Sequence, residues 1–152
     1  MTDLTVTRTF PFPAELVWSA WTTAEHFSAW FGGDQVEVPL DTLDYVAELG
    51  RAWKADMVLP DGNRIHWVGE FVEVDAPRHL RLTITDQPDD PARSHLVVDF
   101  AEVAGADGAT GPATEVTMTQ TPIPEGAEEA LRQGYAHFFD TLEAELGRMA
   151  AA

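Results

Sequence analysis

The side chains that perform most enzyme chemistry occur in this chain without the spacings that such chemistry needs. The five histidines are scattered, and no HExxH metal motif is present. His66 and Glu70 share one face of a predicted strand, but at ~3.3 Å per residue they stand ~13 Å apart, too far to share a zinc ion. His137 and Asp140 are neighbours on a predicted helix, which alone defines no site. We predict no metal and no cofactor.

Motifs that would mark a catalytic nucleophile or a phosphate-binding loop are also missing. None of the three serines lies in a GxSxG elbow. Ser94 and His95 are adjacent on a predicted strand, so their side chains point to opposite faces. The glycine-rich stretch 105–111 precedes a strand and lacks the GK[ST] ending of a phosphate cradle. The chain has no cysteine, so we predict no disulfide and no thiolate metal site. With these motifs missing, we assign no catalytic residue.

The charge balance excludes several partners. The formal net charge is −17, from 26 acidic and 9 basic residues, and Lys54 is the only lysine. Nucleic acids and anionic membrane surfaces bind clustered basic residues, which are missing here. No apolar run approaches the ~20 residues that cross a bilayer. The alternating N-terminus lacks the apolar core of a signal peptide, so we expect a cytoplasmic protein.

Aromatic side chains, in contrast, are concentrated. Residues 15–33 contain three tryptophans and two phenylalanines. Val17, Trp18 and Trp21 share one face of a predicted helix and are expected to anchor it in the core. The remaining aromatics of interest stand at a glycine-terminated helix end or on strands: Trp30, Phe31, Trp53 and Trp67. These residues are candidates for the wall of a cavity. Side chains in such a wall also belong to the hydrophobic core.

Hydrophobic periodicity predicts the elements that position these aromatics. Residues 4–10 alternate as a strand with one buried face, and two short helices follow. Six further β segments lie between residues 34 and 121, the first of them at 35–40, with turns such as 60–63 between them. The pattern predicts one α+β domain over residues 1–152 with a seven-stranded antiparallel sheet.

The chain ends in a long predicted helix that begins at Pro124. Its apolar residues recur at steps of three, four and seven and form one stripe: Ala127, Leu131, Tyr135, Phe138, Leu142 and Met149. The stripe must lie on the sheet, because no other large surface is left. A single helix across a twisted sheet leaves space between them, where a mostly apolar pocket is expected.

Several motifs along the chain have a familiar combination and order. They are an arginine–aromatic strand end, a proline-led helix with Val-Trp, a Thr-x-x-Glu capping box, a Trp-Phe stop, a hairpin with Asp-Gly and Glu-x-x-x-Pro, and a Gly-aromatic pair in the last helix. The residues are Arg8, Phe10, Pro13, Val17, Trp18, Thr22, Glu25, Trp30, Phe31, Asp61, Gly62, Gly69, Glu73, Pro77, Leu80, Gly134 and Tyr135. Nearly the whole chain thereby resembles the START-like, helix-grip (SRPBCC) superfamily. Within it the resemblance is to the group named after the C-terminal domain of the activator of Hsp90 ATPase (AHSA1).

The resemblance implies a helix-grip fold, in which a curved antiparallel sheet grips the C-terminal helix around a cavity. Members of this superfamily bind lipids, sterols, polyketides or other hydrophobic molecules, and some are aromatase/cyclases. The chain is far more acidic than the eukaryotic activator, so an Hsp90-type chaperone is not expected as a partner.

We therefore expect a module that binds a small hydrophobic molecule. The candidate walls of its cavity are Trp30, Phe31, Trp53, Trp67, Phe71, Leu82, Ile84, Met118, Tyr135 and Phe138, and the candidate polar contacts are Arg51, His66 and the Tyr135 hydroxyl. One alternative is a cyclase-type enzyme for a polyketide-like substrate, with His66, His95 or His137 aimed into the cavity. Another is a protein-interaction module or homodimer with a filled core and an exposed apolar patch.

Overall fold

The computed structural model describes residues 2–33, 35–87, 89–104 and 112–151. The α-helices in these ranges are α1 (Ala14–Thr22), α2 (Ala24–Trp30) and α3 (Glu128–Ala151). The strands there are β1 (Thr2–Phe10), β2 (Ala52–Val58), β3 (Arg64–Asp75), β4 (His79–Ile84), β5 (Ser94–Ala104) and β6 (Pro112–Ile123), and a 3-10 turn spans Leu40–Thr42. The glycine-rich stretch 105–111 lies outside the described residues.

The strands form one antiparallel sheet in the order β1-β6-β5-β4-β3-β2. Within the described ranges this sheet has six strands, so the prediction of seven is wrong. The segment 35–40 makes only an isolated bridge, in which Glu37 and Val58 exchange two backbone hydrogen bonds of 3.0 and 2.7 Å. Pro39 has no N–H to extend the pairing, and the chain then enters the 3-10 turn.

At the α1–α2 junction the predicted capping box does not form, and other contacts hold the two helices. Thr22 is the last residue of α1, and its hydroxyl donates to the Trp18 carbonyl at 2.8 Å. The extended Thr23 precedes α2 and makes no side-chain cap. The junction is instead held by Trp30, whose indole N–H donates to the Ala20 carbonyl at 2.8 Å.

The long helix α3 packs on the sheet as its apolar stripe predicts. It begins at Glu128, not Pro124, because the chain first turns at Gly126 with φ +83°. Leu142 and Phe139 are buried, and the Phe139 ring meets Phe10 of β1 edge-on with centroids 5.8 Å apart. None of the helices in the described part of the chain combines the length and apolarity needed to span a membrane.

Candidate ligand cavity

A cavity of about 740 Å³ lies between the sheet and α3. Side chains from β2 to β6 form one side of it, and α2 and α3 form the other. Its apolar lining includes Phe27, Trp30, Phe31, Trp53, Met57, Ile65, Trp67, Leu82, Ile84, Leu96, Met118, Leu131, Phe138 and Phe139. The volume falls in the range of small-molecule pockets, roughly 300–1,000 Å³.

The aromatic wall of the cavity is a continuous packed group. Phe27 stacks on Tyr45 with ring centroids 3.9 Å apart, and on Phe31 at 4.5 Å. Phe31 in turn meets Trp67 and Phe138 edge-on, each at 6.1 Å. Phe31, which follows α2, thereby joins β3 to α3 in the cavity lining. This explains the aromatic density of residues 15–33.

One wall residue, Trp53, depends on a glycine of the neighbouring strand. Trp53 lies opposite Gly69 in the β2–β3 register, and its indole N–H donates to the Thr83 carbonyl on β4 at 3.0 Å. A Cβ at Gly69 would stand 2.5 Å from the indole Nε1 and 1.8 Å from that carbonyl oxygen. Only glycine leaves room for the indole to reach across β3.

Few polar groups enter the interior. The Tyr135 hydroxyl donates to Gln120 Oε1, and burial raises the pKa of Tyr135 far above its ordinary value, so this phenol stays protonated. The Ser94 hydroxyl donates to the Pro122 carbonyl at 2.8 Å. The buried indole N–H groups of Trp21 and Trp67 find no acceptor among the described residues.

The mouth of the cavity lies where its lining becomes exposed. The exposed lining residues belong to the β4–β5 connection, to the β6–α3 connection and to the start of α3: Asp86, Gln87, Asp90, Ala92, Pro124 and Ala130. Arg93, in the same connection, is half-buried and lines the cavity. It also borders a second groove of about 530 Å³ over β2 and β3.

The structure brings most of the predicted wall residues together. The lining contains Trp30, Phe31, Trp53, Trp67, Leu82, Ile84, Met118, Tyr135 and Phe138. Phe71 lies elsewhere: it is fully buried and meets the Tyr45 ring edge-on at 5.2 Å, behind the wall that Tyr45 forms.

Of the three predicted polar contacts, Tyr135 lines the cavity, whereas Arg51 and His66 lie outside the lining, which corrects that expectation. Arg51 is exposed, and its guanidinium lies 3.6 Å from Asp44. His66 is exposed and bonds to Asp56 at 2.7 Å. It points away because its neighbours on β3, Ile65 and Trp67, face the cavity and strand side chains alternate.

The histidines of the cyclase alternative do not line the cavity. The His137 ring covers Gly33, where a Cβ would stand 2.4 Å from it. His95 lies 3.2 Å from Arg81, and burial together with that guanidinium lowers the pKa of His95.

The other two histidines bond to carboxylates. His79 lies between Glu73 at 2.9 Å and Asp99 at 2.7 Å, and these bonds raise the pKa of His79. His26 bonds to the buried Glu145 at 2.9 Å.

Apart from the Tyr135 hydroxyl, sequence reasoning missed the polar residues of the site. Gln120 stands on β6 two residues beyond Met118, so alternation along that strand carries the signal that it faces the same side. Arg93 lies in a polar loop, where no periodicity points to it. Gly134 lines the cavity because it follows Leu131 by three residues on α3, and that helical spacing was available.

The fold and cavity together define a helix-grip domain of the START-like class. The family model described as "Activator of Hsp90 ATPase homolog 1-like protein" matches residues 11–147. The chain belongs to this family, as its sequence motifs predicted. A search of curated proteins gives no match.

Solved structures agree on the fold. A protein from Chromobacterium violaceum superposes with a TM-score of 0.81 at 18% identity, covering 95% of this chain and 96% of that one. The AHSA1 protein from Silicibacter pomeroyi gives 0.79 at 21% identity, with 97% and 99% covered. A protein from Staphylococcus epidermidis gives 0.78 at 26% identity, with 97% and 91% covered.

Proposed function

We propose that this protein binds a small hydrophobic molecule in the cavity between the sheet and α3. The observation that carries the proposal is the cavity of about 740 Å³, walled by aromatic and aliphatic side chains with few polar groups. Burial of apolar ligand surface contributes about 25 cal/mol per Å², so each ~100 Å² of covered surface favours binding by about 2.5 kcal/mol. The Tyr135–Gln120 pair then fixes the orientation of the ligand.

The cyclase alternative is less well supported. Enolisation or protonation of a substrate needs an acid or base within hydrogen-bond reach of it. The described part of the chain places all five histidines outside the cavity lining. Tyr135, which does line it, has a pKa raised by burial, so it is a weak acid and offers no phenolate base. The lining carboxylates, Asp86 and Asp90, are exposed at the mouth. The proposal therefore assigns no catalytic residue.

The interaction-module alternative required a filled core. The open volume beneath α3 favours a ligand instead. Leu40, Val46 and Leu49 are exposed on the segment before β2, but nothing in the structure shows what would cover them. Homodimer formation stays a prediction.

Gly134 offers a direct test of the proposal. It lines the cavity, and a Cβ added there meets no atom within 4 Å. Gly134→Trp should therefore place an indole in the part of the cavity beneath α3 without a clash at Cβ. Gly147 is the matched control, because it lies on the same helix, is exposed and is equally open at Cβ.

The assay is fluorescence titration with N-phenyl-1-naphthylamine, an uncharged apolar dye. We expect saturable enhancement at about one dye per chain in the wild type and in Gly147→Trp, and its loss in Gly134→Trp. Gly134→Ala should keep binding and shows that the position tolerates a side chain. Equal dye binding by Gly134→Trp and the wild type would contradict the proposed site.

A further inference from the structure

We propose that the cavity takes an amphipathic anion, whose acidic group lies against the guanidinium of Arg93 while its apolar body lies beneath α3. The inference rests on the proposed function and adds the ligand class. Its basis is the position and the hydrogen bonding of Arg93 at the cavity mouth.

Arg93 differs from Arg8, Arg64 and Arg148 in what it contacts. Arg8, Arg64 and Arg148 each lie 2.8 to 3.4 Å from a carboxylate oxygen. Arg93 uses only Nη1, which donates to the backbone carbonyls of Asp90 and Ala92. Within the described ranges it makes no ion pair, although the chain has 26 acidic residues.

The unused donors of Arg93 form a suitable anion-binding edge. A guanidinium has five N–H groups, and the two on Nη1 are directed at the loop carbonyls. Nε and Nη2 share the opposite edge of the plane, with three N–H groups that no described residue accepts. Such an edge binds a carboxylate or a phosphate through two parallel hydrogen bonds.

The local charges allow an anion at this position. Asp86 and Asp90 also line the mouth, but both are exposed, and Asp90 accepts a hydrogen bond of 2.9 Å from the Ala92 N–H. Water and salt screen such exposed carboxylates. Arg93 is half-buried whereas both aspartates are exposed, so its charge is screened less than theirs and an acidic ligand group gains more from it than it loses to them.

A matched ligand series tests the head group. The probes are dodecanoate, dodecyl phosphate, dodecanol and dodecylamine, each titrated below its micelle concentration by calorimetry. We expect the two anions to bind about 10- to 100-fold tighter than dodecanol, as a charged hydrogen-bonded pair implies. The ratio between dodecanoate and dodecyl phosphate tells whether a carboxylate or a phosphate ester is the better head group.

Variants of Arg93 test whether this residue causes the preference for anionic ligands. Arg93→Gln should lower the affinity for dodecanoate by the same 10- to 100-fold and leave the affinity for dodecanol unchanged. Arg93→Lys keeps the charge but loses the two-pronged edge, so an intermediate loss is expected. Arg51→Gln is the control, because it removes the same charge from an exposed arginine outside the cavity lining.

The outcomes that overturn the inference differ from those that overturn the proposed function. Equal affinity for dodecanol and dodecanoate, or a preference for dodecylamine, overturns the anion and leaves the binding cavity in place. An equal loss for dodecanol and dodecanoate in Arg93→Gln shows a structural role only and also overturns it. Failure of all four probes to bind overturns both proposals.

Discussion

Replacing Gly69 by alanine tests how the cavity wall is built. The added Cβ would stand 1.8 Å from the Thr83 carbonyl oxygen and 2.5 Å from Trp53 Nε1. The first of these atoms is backbone and cannot rotate away, so β3 and β4 must separate. The Trp53–Thr83 hydrogen bond is lost as they do so.

The size of the effect follows from three contributions. Overpacking costs about 1–3 kcal/mol. A buried donor and acceptor left unpaired cost about 1–3 kcal/mol more. Replacing a strand glycine recovers about 0.5–1 kcal/mol. We therefore expect Gly69→Ala to lower the free energy of unfolding by about 1–5 kcal/mol, which lowers Tm by about 2–20 °C in a chain of this size.

The assay is urea unfolding followed by tryptophan fluorescence and circular dichroism, with Gly134→Ala as the control at an open position. Combining Gly69→Ala with Trp53→Phe should cost about 1 kcal/mol less than the sum of the single changes, because both break the same hydrogen bond. A free energy of unfolding for Gly69→Ala within about 0.5 kcal/mol of the wild type would refute the reasoning.

Three further predictions concern α3, the cavity interior and the outer face of the sheet. Gly134→Ala and Gly147→Ala should each raise the free energy of unfolding by about 0.5–1 kcal/mol, measured by urea unfolding, because both are helical glycines with open space at Cβ. Tyr135→Phe leaves Gln120 without its donor and should cost about 1 kcal/mol, and a second change, Gln120→Leu, should recover it in thermal unfolding. Because the pKa of His79 is raised in the fold, its contribution is fully present below about pH 6.5 and is lost as pH rises through the folded pKa. His79→Asn should therefore flatten this decline in Tm, and an unchanged pH profile would contradict the assignment.

Much of the fold followed from local patterns in the sequence. The apolar stripe of α3 predicted that Tyr135 and Phe138 face the sheet, since helical spacing fixes which residues share a side. The aromatic pair before two glycines placed Trp30 and Phe31 at a helix end. The strand expected at 35–40 does not form. The alternation of apolar and polar residues predicted it, but that pattern does not register that Pro39 has no N–H to pair with a neighbouring strand.

The candidate site was less predictable, because it depends on contacts between distant elements. Both faces of β3 carry apolar residues, so sequence alone did not settle whether His66 or Trp67 faces the cavity. Phe71 has the right type and strand, but Tyr45 from a loop lies against it. Arg93 lies in a connection without periodicity, where only the three-dimensional structure places it at the mouth.

Native mass spectrometry of the purified wild type and of Gly134→Trp, before and after addition of dodecanoate, tests the central claim most directly. We predict one bound molecule per wild-type chain, carried from the host or taken up from the added dodecanoate, and a bare mass for Gly134→Trp under both conditions. A bare wild-type chain under both conditions, or the same bound mass on both proteins, would contradict ligand binding in this cavity.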